Sequence, residues 1–212
     1  MKKFLLIALA CCMTVIGFAQ KGKKGDSNSI IKSSEEITWL GLDFTQVRVI
    51  GAAAQWKDVG EITDNQMRDK YIPAWNDFFL NEQKKYDVAK YVDRSSVHYA
   101  MDVTEKMNNR KYPKSVFSDS PEDYQHLQEG DIARLVKGYD FKGQNGVGLL
   151  FFIEGMSKGK EEACAWVTFV DMKSKSVLQT KRIYGRAGGF GFRNYWAKSF
   201  FNILKNISSE MR

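Results

Sequence analysis

Several groups of residues in this chain have the types and spacing to do chemistry. Gly155-Met-Ser-Lys-Gly159 fits G-x-S-x-G, the elbow that presents a serine nucleophile on a sharp strand-to-helix turn. That chemistry needs an acid and then a histidine later in the chain. The two histidines, His98 and His126, both precede Ser157, and the residues after Gly159 lead into an apolar strand. Ser157 therefore reads as a hairpin residue. Two histidines and Cys164 offer no spaced metal set, so no metal is expected. Cys164 falls in an apolar run and reads as a small buried hydrophobe. Carboxylates are plentiful, Asp43, Asp102, Glu154 and Asp171 among them. Glu154 and Asp171 each end an apolar run. A glycosidase-like pair would need them about 5 to 10 Å apart; otherwise both face water at sheet ends.

The segment Gly185-Arg-Ala-Gly-Gly-Phe-Gly-Phe-Arg-Asn-Tyr-Trp196 packs four glycines, four aromatics and two arginines into twelve residues. It matches the RNA-recognition strand at Gly189, Phe190, Gly191, Phe192 and Tyr195, and departs from it at Gly188 and Arg193. Phe192 and Tyr195 also open a helical spacing, which places them on a helix face and excludes a base-stacking strand; no nucleic-acid partner is expected. A dinucleotide loop fails at Asn194, where a third glycine belongs, and no Gly-Lys-Ser/Thr follows. Two readings stand. Arg186, Gly188, Gly189, Gly191 and Arg193 could hold an anion at a helix N-terminus. Alternatively, the glycines only turn the chain while Phe190 tucks into the core. No cofactor is implied.

The elements that would position these residues follow from patterning. Lys2 and Lys3 precede an apolar stretch, Phe4 to Ile16, then Gly17-Phe-Ala-Gln20. This is the form of a secretory signal over residues 1–19, cleaved between Ala19 and Gln20. The stretch is short for a membrane span, and no later segment is apolar enough for one. Leu9-Ala-Cys11 offers an alternative, a lipid anchor at Cys11. Loss of Lys2 and Lys3 with the signal would lower the net charge from +7 to +5. Cys164 would then be the one cysteine left, so no internal disulfide could form. Residues 20–35 hold Lys21, Lys23 and Lys24 among small polar residues and read as a flexible basic leader.

Residues 36–212 suffice for one domain. Ile37 to Ile50 alternates as a strand. Gly51 to Gly60 reads as loop. Thr63 and Gln66 form a capping-box pattern ahead of Met67, Tyr71, Trp75, Phe78 and Phe79 at helical spacing, with Pro73 expected to kink or break that helix. Ser96 to Asp102 is a candidate strand, and Asn108 to Pro113 a loop. Ser120-Pro121 starts a helical region, with Gly130 as a candidate division into two short helices and Ile132, Leu135, Val136 and Tyr139 as its apolar face. Val147–Glu154, Ala163–Val170 and Val177–Tyr184 are apolar runs joined by short polar loops, hence three antiparallel strands. Phe192, Tyr195, Trp196, Ser199, Phe200, Ile203, Leu204 and Ile207 define an amphipathic helix. The expected fold class is α+β: a single mixed sheet with a C-terminal three-stranded antiparallel meander, covered by about three helices including the C-terminal one.

Trp166-Val-Thr-Phe-Val-Asp-Met-Lys-Ser-Lys-Ser-Val177, an apolar strand, an aspartate, a short polar turn and a new strand, resembles a hairpin of small exported bacterial envelope proteins. The element order, ending in three strands and a helix, is similar to the amino-terminal domain of TolB and related envelope lipoprotein domains. The resemblance implies protein binding or assembly in the periplasm or envelope, with no catalytic residues to carry over. The expectation is an exported binding module whose partner is an envelope protein or a small anionic ligand; the alternative is a hydrolase using carboxylates at the sheet ends.

Overall fold

The computed structural model describes residues 35–51, 55–57 and 59–212. The signal, the Ala19–Gln20 site, Cys11 and the basic leader lie outside the described residues. The strands are β1 (Ile37–Asp43), β2 (Arg48–Ile50), β3 (Gln55–Trp56), β4 (Gly60–Glu61), β5 (His98–Tyr99), β6 (Phe117–Ser118), β7 (Val147–Ser157), β8 (Glu162–Asp171) and β9 (Ser176–Arg186). The helices are α1 (Asp64–Gln66), α2 (Ile72–Asn81), α3 (Val88–Tyr91), α4 (Asp102–Arg110), α5 (Glu129–Lys137) and α6 (Phe192–Glu210). The fold is mixed α+β, built on a seven-stranded sheet.

The expected antiparallel meander is present: β8 pairs antiparallel with β7 and with β9. It is only half of the sheet. On its other side β7 pairs parallel with β1 along its first half and with β2 along its second. β5 then extends β1, and β6 extends β2, both parallel. β1 and β2 thus form one column broken in the middle. Ile37 to Ile50 is not the single strand its alternation suggests. The break starts at Asp43, whose Oδ1 accepts the Thr45 amide at 2.6 Å, and Val47 N then bonds to Phe44 O at 3.2 Å. This side-chain-to-backbone turn competes with the ladder.

Helices cover both faces, because β7 and β8 are apolar on both. On one face Leu149, Phe151, Ile153, Ala165, Val167 and Phe169 pack against α2, α3 and α6. On the other, Leu150, Phe152, Trp166 and Val170 pack against α4 and α5. The α6 periodicity is confirmed: Phe192, Trp196, Ser199, Phe200, Ile203, Leu204 and Ile207 are buried. A Cβ at Gly185 would overlap the Ser199 carbonyl, so glycine lets α6 lie directly on β9.

Several local expectations are corrected. The capping box forms, with Thr63 Oγ1 accepting from Gln66 N. However, the irregularity assigned to Pro73 sits one turn earlier, in a π-helical turn at Met67–Tyr71, and Pro73 occupies the first turn of α2, where its missing N–H costs nothing. Only His98–Tyr99 is strand within Ser96 to Asp102, and Asp102 opens α4, which runs through Asn108 to Arg110. Residues 55–61 carry a small β3–β4 hairpin inside the expected loop. Gly130 lies within α5, and the division from the preceding 3-10 turn, Pro121–Gln125, falls before Gln128.

Candidate functional site

The residues singled out by type do not converge. Asp171 lies opposite Val147, and Glu154 is seven residues further along β7, so the two are about 23 Å apart at ordinary strand rise. They cannot flank one bond. Nor does Glu154 face water: it is fully buried. Its two oxygens take the Arg182 guanidinium at 2.7 and 3.1 Å and the Leu127 amide at 2.6 Å. Arg182 also donates to Leu127 O and lies over the Trp166 ring. Burial works against charge on Arg182, yet its bonds to Glu154 outweigh this and its pKa is raised. This pair, with its hydrogen bonds satisfied, ties the segment before α5 to the sheet. Cys164 is buried beside it, where burial and the Glu154 charge hold the thiol protonated.

Ser157 ends β7 and accepts from the Lys160 amide, so Gly155 to Gly159 is a hairpin and no elbow. His98 is exposed near Glu36, and His126 Nδ1 contacts Asp123 O. Among the described residues no group of histidine, cysteine, aspartate and glutamate is placed to hold a metal ion. Asp43 is buried. Burial raises its pKa despite hydrogen bonds from Tyr139 and Thr45, and burial beside Asp43 raises that of Tyr139.

At the glycine turn, Gly188, Gly189 and Gly191 take positive φ, and Gly191 caps α6. The two arginines diverge. Arg186 reaches Glu161 at 3.9 Å, whereas Arg193 lies over the Phe78 ring. The Gly188 amide is taken by Tyr195 O at 3.1 Å. Phe190 is not tucked into the core; it is 85% exposed.

A different site emerges where β5 ends. β5 covers β1 only at Thr38 and Trp39. Beyond it, two asparagines replace the missing strand. Asn76, from α2, accepts from Leu42 N at 2.8 Å and donates to Leu42 O at 3.1 Å. Asn108, from α4, donates to Leu42 O at 3.0 Å and accepts from Phe44 N at 2.7 Å. Gly41, at a bulge with φ +103°, makes the approach possible: a Cβ there would stand 2.8 Å from Asn76 Oδ1. Between α2, α4 and the β5 end lies a pocket of about 370 Å³. Ile72, Pro73, Leu80, Tyr99, Met101 and Tyr112 supply apolar surface. Asp77 and Glu105 stand at its exposed rim, while Asp102 is ion-paired to Lys142 and Arg68 to Asp69. Its lining contains no serine, cysteine, histidine or lysine. The arrangement can enclose and orient a small molecule.

Sequence patterning missed this site because its walls come from residues 68–80 and 99–112, neither of which carries a motif. The best available signal was an asparagine among the inward-facing positions of each of two helices, Asn76 and Asn108.

The geometry defines the chain as a mixed α+β domain with a pocket at the carboxyl end of a parallel edge strand. Comparison with protein-family models, curated proteins and solved structures found no match.

Proposed function

We propose that this chain is an exported, envelope-associated binding module, with its ligand seat in the pocket between α2 and α4. The observation that carries the reading is the pocket itself, held open by Asn76 and Asn108 where β5 stops short. Its volume lies within the range of small-molecule sites, and its place beyond the carboxyl ends of parallel strands is where open α/β sheets bind ligands. A mainly apolar wall with a few polar groups at its rim has the composition of a small-molecule seat. The rim carboxylates Asp77 and Glu105 favour an apolar ligand with a cationic or amino group over an anion. Export is supported by the basic head, apolar stretch and small-residue site of residues 1–19. Similarity to envelope domains of the TolB kind remains a sequence-pattern argument for the same setting.

A thermal-shift screen of small apolar amines tests the seat. A true ligand raises the midpoint of the wild-type chain, since binding only the folded state stabilises it. Leu80→Asp, at an exposed wall position, should abolish the shift with the free protein's midpoint unchanged. Hits that stabilise Leu80→Asp equally would remove the pocket from the reading. Mass spectrometry of the mature N-terminus decides between Gln20 and a lipidated Cys11; an unprocessed Met1 would end the export proposal.

A further inference from the structure

At the glycine turn Arg186 and Arg193 diverge. Its geometry instead does something unusual with an aromatic. Ala187 N bonds to Glu161 O at 2.7 Å and Gly188 N to Tyr195 O at 3.1 Å, so the strap is tied to the sheet on one side and to α6 on the other. Between these ties, Gly188, Gly189 and Gly191 all take positive φ, a path open to glycine and strained for other residues. The path carries Phe190 outward, to 85% exposure, the largest of any large hydrophobic side chain described. Isolated surface hydrophobics are ordinary. A phenylalanine held out on a tethered strap, with the core beside it already filled by Phe192, is not.

The surroundings are basic. Lys198 lies over Gly188, with its Nζ 3.4 Å from where a Cβ would stand. Arg186, 80% exposed in its side chain, adjoins the strap. Lys158 and Lys160 lie in the β7–β8 hairpin, to whose Glu161 the strap is bonded. Glu161 contacts Arg186 loosely, at 3.9 Å, while Lys158 lies over the Trp56 ring and Lys160 over the Tyr124 ring. The β3–β4 hairpin, whose Trp56 packs on Phe192 and Tyr195, adds Val59 as a second exposed apolar side chain. An apolar tip with Arg186 and Lys198 beside its strap matches the chemistry of one surface: an anionic bilayer, in which the aromatic enters the interface and the cations meet headgroup phosphates.

We propose that the strap Ala187–Gly191 is a membrane-contact loop, with Phe190 as its inserting side chain and Arg186 and Lys198 as its headgroup contacts. The contact is peripheral: among the described residues no helix is long and apolar enough to cross a membrane. It does not depend on the pocket reading.

Co-sedimentation with vesicles tests it, using the chain as recovered from its host, so that wild type and variants share one N-terminus. Wild type should bind phosphatidylglycerol–phosphatidylcholine vesicles at least tenfold more tightly than pure phosphatidylcholine. Phe190→Ala should weaken that binding about tenfold, Phe190→Trp should preserve it, and Lys198→Glu should weaken it at least fivefold. Unchanged melting midpoints for these exposed positions separate a binding effect from misfolding. Soluble glycerophosphate at millimolar concentration should not compete; if it does, the site takes a free phosphate and the membrane proposal fails. Equal binding by wild type and Phe190→Ala overturns it. So does a self-associated wild type that Phe190→Ala converts to monomer without changing vesicle binding, because the face is then an interface between copies.

Discussion

The sheet has two outer sides, and both are closed by amide side chains in place of a further full strand. On the β1 side, Asn76 and Asn108 each offer a donor and an acceptor, and together they satisfy Leu42 N, Leu42 O and Phe44 N. On the β9 side, Asn202 and Asn206 of α6 donate to Arg186 O and Tyr184 O, and Gln179 donates to Met211 O. The first set is buried or half-buried; Asn202 and Asn206 make exposed contacts. The difference shows that one device serves two ends. An exposed amide cap blocks an edge that could otherwise template pairing with another chain. A buried one also props two helices apart, and the space left is the pocket.

The contrast can be broken most severely at Asn108. Asn108→Ala leaves the buried Phe44 N without its partner and Leu42 O with Asn76 alone, and should cost about 4 kcal/mol in urea unfolding. A loss below about 1 kcal/mol would mean that water replaces the amide and that the edge is not sealed. Next comes Gly185→Ala, which pushes α6 off β9 and should cost about 3 kcal/mol through overpacking. If it is neutral, α6 is not seated as described. Asp43, at the end of the β1 column, gives a pH-dependent test. Its folded pKa is raised by burial, so the native state binds a proton more readily than the unfolded chain. The stabilising effect of that proton is complete below the unfolded carboxylate value and is lost as pH rises through the folded one. Asp43→Asn, which carries no such charge, should therefore gain on wild type as pH rises from 4 to 7. A flat difference would show Asp43 to be paired well enough to ionise freely. Smallest is Asn206→Ala on the exposed side, expected to cost under about 1 kcal/mol because water can satisfy Tyr184 O. A cost equal to that of Asn108→Ala would erase the distinction between the two sides.

The meander and α6 were legible because their signals are local. Val147 to Ile153 is apolar without interruption, Ala163 to Val170 is so but for Thr168, and the i, i+3, i+4 spacing from Phe192 to Ile207 runs unbroken for four turns. The break in Ile37 to Ile50 was hidden. Phe44, Thr45 and Val47 keep a strand-like composition through the turn, and only Asp43 reaching two residues ahead to Thr45 N marks it. α4 was hidden for the opposite reason: Val103 and Met107 are its only large buried hydrophobic residues, and its charges read as loop. Parallel pairing of β1 with β7 has no local signature at all, and the pocket inherits that obscurity because β1, α2 and α4 meet only after the pairing forms. Composition likewise could not say that Phe190 points outward, since phenylalanine beside four other glycine and aromatic residues looks like core.

The order of the columns also has a consequence in time. β7, β8, β9 and α6 are consecutive in the chain and close on one another through short loops. β1 meets β7 across about 110 residues, Ile37 against Val147. Closing so long a loop is slow compared with zipping hairpins. The amino-terminal strand, first to be synthesised, should therefore be last to dock, and until β7 appears nothing can hold it folded. A chain built this way completes its sheet only after its last third has folded. Pulsed hydrogen exchange during refolding should find β7–β9 amides protected before those of Leu40 and Leu42.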